Sequence, residues 1–178
     1  MVENFLDVGD GLALQRILGD PKQKDQLISF LTTILDDHLT TPIQDISSIK
    51  VAQDSLIPEE KQSSAEIYCQ DQAGEEYIVR VQMVPKQDAE LRICYHASQT
   101  YANQVPEGCR PHDRVLKPVI FLALTDFVMF PDDEAYKSAH SWASQKTQKN
   151  YFSHLRYTIL ELPKFRKYLE KKKEQAAT

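Results

Sequence analysis

The sequence predicts an α/β sandwich, a mixed β-sheet with helices packed against it. Three features carry that prediction. Residues 61–84, KQSSAEIYCQDQAGEEYIVRVQMV, contain two Ile-, Val- and Tyr-rich runs separated by a short turn with Gly74, the pattern of a β-hairpin. Val119-Ile120-Phe121-Leu122-Ala123-Leu124 is an unbroken apolar run, as expected of a strand covered on both faces. Apolar residues recur at helical spacing on either side of the hairpin. A chain of 178 residues that is 42% hydrophobic and 26% charged suits one globular domain with a full core.

The elements follow in order. Leu14, Ile17 and Leu18 predict a short helix over residues 12–18 that stops at Gly19. Asp20 and Pro21 suit the cap and first position of a second helix. Its apolar stripe is Leu27, Ile28, Leu31, Ile34 and Leu35, and Asp36 and Asp37 oppose the dipole near its end. After Pro42, Ile43, Ile46, Ile49 and Val51 predict a first strand with one irregularity. Residues 54–60 form a loop around Pro58, and the hairpin follows and ends at Pro85. Residues 88–104 predict a helix capped by Asp88, with Leu91, Cys94, Tyr95, Ser98, Tyr101 and Ala102 lining one face.

The buried strand comes next, in 115–130. Pro131 is read as opening a short helix over DDEAYKSAHSWA, its acids in the first turn and Tyr136 and Trp142 packing it down. Residues 151–162 alternate as a last strand, and Pro163 opens a basic terminal helix. Two units are expected: residues 1–162 as the main domain and residues 163–178 as the basic helix.

The hairpin also orders its polar residues. A loop of Gln72, Ala73 and Gly74 sets Asp71 opposite Glu75, with Gly74 in the left-handed conformation such loops need. Counting back places Glu66 opposite Arg80. Residues two apart share a face, so Glu66, Arg80 and Gln82 lie side by side. Metal-dependent phosphodiester cleavage needs clustered carboxylates at such a spot, to hold Mg²⁺ and activate water. Glu66 and Gln82 suit that chemistry. Arg80 does not: a guanidinium has no lone pair for a metal and repels it. An ordinary cross-strand ion pair is the reading the residue types favour.

Other chemistries find less support. His38, His96, His112, His140 and His154 lack metal-ligand spacing and read as surface or capping residues. Cys69 and Cys94 read as small core residues, and a Cys109/His112 nucleophile pair has only sequence proximity in its favour. There is no Gly-rich phosphate loop and no G-x-S-x-G elbow. The tyrosines and phenylalanines read as core residues, not as a base-stacking platform. Three scattered cysteines do not make a disulfide framework. The start, MVENFLDVGDG, lacks signal-peptide features, and no apolar run has the length of a membrane span. A reduced, cytoplasmic protein is expected.

The net charge of −5 does not advertise nucleic-acid binding, but it is uneven. Residues 163–175 hold Lys164, Arg166, Lys167, Lys171, Lys172 and Lys173 against Glu170 and Glu174. Such a helix end complements its own macrodipole and also suits contact with phosphates.

Five segments in this order and spacing resemble a known family: ALQRILGDPKQKDQLISFLTTIL, AEIYCQDQAGEEYIVRVQ, LRICYHASQTYANQVPEG, VLKPVIFLALTDFVMF and YTILELPKF. The chain is similar to the recombination-promoting nuclease and transposase-like family of the PD-(D/E)XK nuclease superfamily. The resemblance implies a restriction-endonuclease-like core, a site on the hairpin, and DNA cleavage with a divalent metal such as Mg²⁺. The family's first strand acid falls on Glu66, the metal-ligand candidate. Its Gln falls on Gln82, and the Glu two residues before falls on Arg80. A further acid near the first helix falls on Gly11, with Asp10 beside it as a shifted substitute. Many relatives continue past the last segment into a longer helical region, so the basic helix is expected to be the start of an extension that is missing here.

The leading expectation is a nuclease-like protein with lost or impaired cleavage and a residual role in binding DNA or protein. A rival is an active DNA endonuclease promoting recombination with a migrated carboxylate, from Asp10, Glu66, Asp71 or Glu76. A third is a non-catalytic module that forms homodimers or binds a protein partner.

Overall fold

The computed structural model describes residues 24–54, 62–110, 112 and 115–176. The elements are α1 (Lys24–Ile34), β1 (Ile43–Asp54), β2 (Gln62–Asp71), β3 (Glu76–Val84), α2 (Ala89–Ala102), β4 (Val119–Thr125), β5 (Lys137–Trp142), β6 (Phe152–Glu161) and α3 (Leu162–Ala176). The six strands form one mixed sheet in the order β1-β2-β3-β4-β6-β5. β1, β2 and β3 are antiparallel neighbours, β4 runs parallel to β3 and β6, and β5 is an antiparallel edge strand.

Strand alternation divides the sheet into two faces. One face presents Ala65, Ile67 and Cys69 of β2, Tyr77, Val79 and Val81 of β3, and Ile120, Leu122 and Leu124 of β4 to α1. Leu27, Leu31, Ile34 and the following Leu35 close that core. Fully burying one such leucine contributes about 1.5–3 kcal/mol. Burial pushes the Cys69 thiol up to about 12. The other face presents Val84, Phe121, Ala123 and Ile159 to Ala89, Ile93 and Ala97 of α2. All of β4 is buried, as its apolar run requires.

β1 carries two irregularities of register, between Ile43 and Asp45 and between Ile46 and Ser48. The hairpin register is as counted from the turn, with Glu66 opposite Arg80. Gly74 has φ of 83°, and Asp71 Oδ1 accepts from the amides of Ala73 and Glu75, both at 2.9 Å.

Five expectations are corrected. Residues 131–142 hold a turn and β5 rather than a helix. The Asp133 carboxylate accepts from the Ala135 amide at 2.9 Å, a local bond that competes with helix formation. Pairing with β6 then claims Lys137–Trp142. Tyr136 packs instead on Phe165 and Tyr168, with centroids 4.9 and 4.8 Å away. Lys137 is tied to Asp36 and Asp37, which uses the acids past the end of α1.

Asp88 does not cap α2 with its side chain; it sits in the left-handed region at φ 55°. α2 also turns the opposite stripe inward: Ala89, Ile93, His96, Ala97 and Thr100 are buried, and Leu91 is 69% exposed. The sheet beneath is partly polar, so His96 and Thr100 go in, and two alanines allow close approach. Cys94 is therefore exposed, not a core residue, and His96 is buried, not a surface one. The predicted helix over 12–18, the cap at Asp20 and the residue Asp10 lie outside the described residues. Among the described residues no helix is long and apolar enough to cross a membrane.

Candidate functional site

The hairpin places Ser64 and Glu66 of β2 and Arg80 and Gln82 of β3 on the α2 face of the sheet. Ser64 pairs with Gln82 and Glu66 with Arg80. Their neighbours at 65, 67, 79 and 81 are apolar and fill the opposite core, so alternation forces these four onto one polar patch. α2 contributes Thr100 from above.

Arg80 is 3% exposed and spends its donors on this patch. Nη1 donates to Glu66 Oε1 at 3.2 Å and to Thr100 Oγ1 at 3.2 Å. Nη2 donates to Ser64 Oγ at 3.1 Å, and Nε to Gln82 Oε1 at 3.3 Å. The Thr100 hydroxyl in turn donates to Glu66 Oε1 at 2.9 Å. The side chain of Glu66 is 20% exposed, against 4% for Arg80, so the pair reaches solvent through the carboxylate. A buried guanidinium needs this many acceptors, because each unpaired N–H would carry a desolvation cost.

On the far side of Glu66, β1 sets Lys50 in register with it. Lys50 Nζ donates to the Tyr68 hydroxyl at 3.0 Å and lies 4.7 Å from that ring's centroid. The Tyr68 hydroxyl, and the Glu66 charge to a lesser degree, hold the Lys50 ammonium above its usual range. Lys117 lies 6.0 Å from the same ring and pairs with Glu76 at 3.1 Å. Glu66 is thus flanked by Arg80 on β3 and Lys50 on β1.

A family profile described as PD-(D/E)XK nuclease family transposase matches residues 11–177. The chain belongs to that family. No curated protein and no solved structure matches it. The mixed six-stranded sheet flanked by helices accords with membership of that family. Its members generally use a divalent metal.

The described residues do not fit that ion. A hard cation needs several oxygen ligands, usually with more than one carboxylate. Among the described residues Glu66 brings the patch's one carboxylate, and its Oε1 already accepts from Arg80 and Thr100. Gln82 Oε1 is engaged by Arg80, whose guanidinium fills the space between them. Among the described residues no group of three or more His, Cys, Asp or Glu is placed to hold a metal.

Of the predicted site residues, the hairpin unites Glu66, Arg80 and Gln82, and Asp10 lies outside the described residues. Asp71 is locked into the turn and Glu76 is paired with Lys117, so neither lies at the patch. Ser64, Thr100 and Lys50 were not foreseen. Ser64 was readable from the same two-residue count. Thr100 and Lys50 come from other elements, and no local signal marks them.

Proposed function

We propose that this chain keeps the PD-(D/E)XK transposase scaffold but has lost metal-dependent DNA cleavage. The observation that carries the reading is Arg80, buried and bonded to Glu66 where the family's pattern sets a carboxylate. Glu66 is the acid that survives, Gln82 the polar neighbour that is kept, and Arg80 the group that replaces the metal. Asp10 stands as the shifted substitute for the further acid. The main domain, residues 1–162, then serves as a binding module, with Lys50 beside the patch as a contact for a DNA backbone. Three free cysteines are consistent with a reducing, cytoplasmic setting.

Incubation of supercoiled plasmid with the full chain and Mg²⁺ or Mn²⁺ tests the reading. No nicking above a metal-free control is expected. Robust cleavage that disappears in Glu66→Ala would overturn it.

A further inference from the structure

The hairpin of β5 and β6 carries an arrangement that the cleft does not use. Trp142, Tyr151 and Phe152 are 55%, 65% and 75% exposed. They converge with Tyr101, Ser153, His154 and Leu155 around an open cleft of about 650 Å³. Trp142 and Phe152 are partners across the two strands. Three large rings held in water do nothing for the core, and such patches mark contact surfaces.

The cleft is held in shape. The Tyr101 hydroxyl lies 3.0 Å from His154 Nδ1, and the two rings meet edge to face at 5.6 Å. The connecting turn closes on itself through Ser144 N–H to Lys149 O at 2.9 Å and Gln148 N–H to Ser144 O at 2.8 Å.

Charge identifies the occupant. Residues 135–160 contain Lys137, Lys146, Lys149 and Arg156 and no Asp or Glu, in a chain of net charge −5. Lys137 and Arg156 are used internally, Lys137 on Asp36 and Asp37, Arg156 on Glu75 and the His38 carbonyl. Lys146 and Lys149 are exposed in the turn beside the aromatic cleft, and among the described residues neither makes an ion pair. Exposed rings next to unpaired ammonium groups suit a flexible polyanion with π-faces, that is, single-stranded nucleic acid. Duplex DNA keeps its base faces stacked and offers nothing to the rings.

We infer that the β5–β6 hairpin is a single-strand nucleic-acid site, in which Trp142, Tyr151 and Phe152 stack on bases and Lys146 and Lys149 contact phosphates. The site stands apart from the Arg80 patch and does not depend on whether cleavage is lost.

Trp142 is the chain's single tryptophan, so its fluorescence reports on this site alone. The full chain is titrated, with EDTA present, with an oligothymidylate of roughly 20 nucleotides and with a duplex of the same length. Single strand is expected to quench Trp142, and duplex to quench it little. By anisotropy of a labelled strand, Trp142→Ala and Phe152→Ala should each weaken binding about tenfold. Lys146→Gln with Lys149→Gln should flatten the salt dependence of log K by about 1.4. The substituted side chains are exposed, and circular dichroism checks that each variant folds. Absence of quenching at about 50 mM salt overturns the inference. So does binding that both aromatic substitutions leave unchanged. Sedimentation showing a dimer that Trp142→Ala dissolves also overturns it, because the patch then serves a second copy.

Discussion

Glu66 and Glu161 are both carboxylates on the sheet, and each is matched by a cation, but their surroundings differ. Glu161, 2% exposed, accepts from the backbone amides of Met129 and Phe130 at 2.5 and 3.1 Å. Lys164 donates to its Oε2 at 2.5 Å and to the Phe130 carbonyl at 2.7 Å. Glu161 therefore fastens the loop after β4 to the end of β6. Glu66 accepts from two side chains, Arg80 and Thr100. A carboxylate bonded to backbone amides holds the path of the chain, and its loss strands those amides. A carboxylate bonded to side chains can exchange partners while the backbone stays in place. On the proposed reading, the patch at Glu66 is thus where Arg80 rewrites the chemistry without rebuilding the fold.

The comparison can be broken by stability measurements. Glu161→Ala should have the largest effect, about 3–5 kcal/mol in urea unfolding, because it leaves Lys164 without its carboxylate and two part-buried amides without their acceptor. Adding Lys164→Ala should restore little, since the amides remain stranded. Arg80→Met should cost less, about 2–3 kcal/mol, because Glu66 can be hydrated from its exposed side. Adding Glu66→Gln should return at least about 1 kcal/mol, as expected for side chains that serve mainly each other. Equal coupling at the two sites would remove the distinction.

Thr100→Val keeps the shape and removes the hydroxyl between Glu66 and Arg80, and should cost about 1 kcal/mol. The smallest effect is a pH dependence outside both sites. Burial holds the His38 imidazole below its ordinary 6.5, and its Nε2 lies 3.0 Å from the Tyr157 carbonyl. The unfolded chain therefore takes up this proton first as pH falls. Stability should decline below about pH 6.5 and level off once the folded-state value is passed. His38→Asn should flatten that decline in urea midpoints measured across the window.

Much of the hairpin is legible in sequence because a three-residue loop with Gly74 leaves one register, and that register places Arg80 against Glu66. β4 is legible from its unbroken apolar run, and α3 from Pro163 and the basic residues after it. The segment that became β5 was misread because acids ahead of Tyr136 imitate a helix start. Its real determinant is pairing with β6, which is distant information. The buried side of α2 was misread because the apolar stripe with Leu91 and Tyr95 looked like the core face. The sheet opposite it carries Arg80 and Glu66, so a stripe with His96 and Thr100 is the complementary one. The exposed aromatics followed the same logic: Trp142 and Phe152 look like core residues until the edge strand leaves them in water.

On the proposed reading, the Arg80–Glu66 ion pair stands where the family's pattern would hold a metal. Calorimetric titration of the full chain with Mn²⁺, alongside Glu66→Ala, tests it most directly. No saturable heat that depends on Glu66 is predicted. Micromolar binding that Glu66→Ala abolishes would contradict the account, because it would mean that Arg80 yields the carboxylate to a cation.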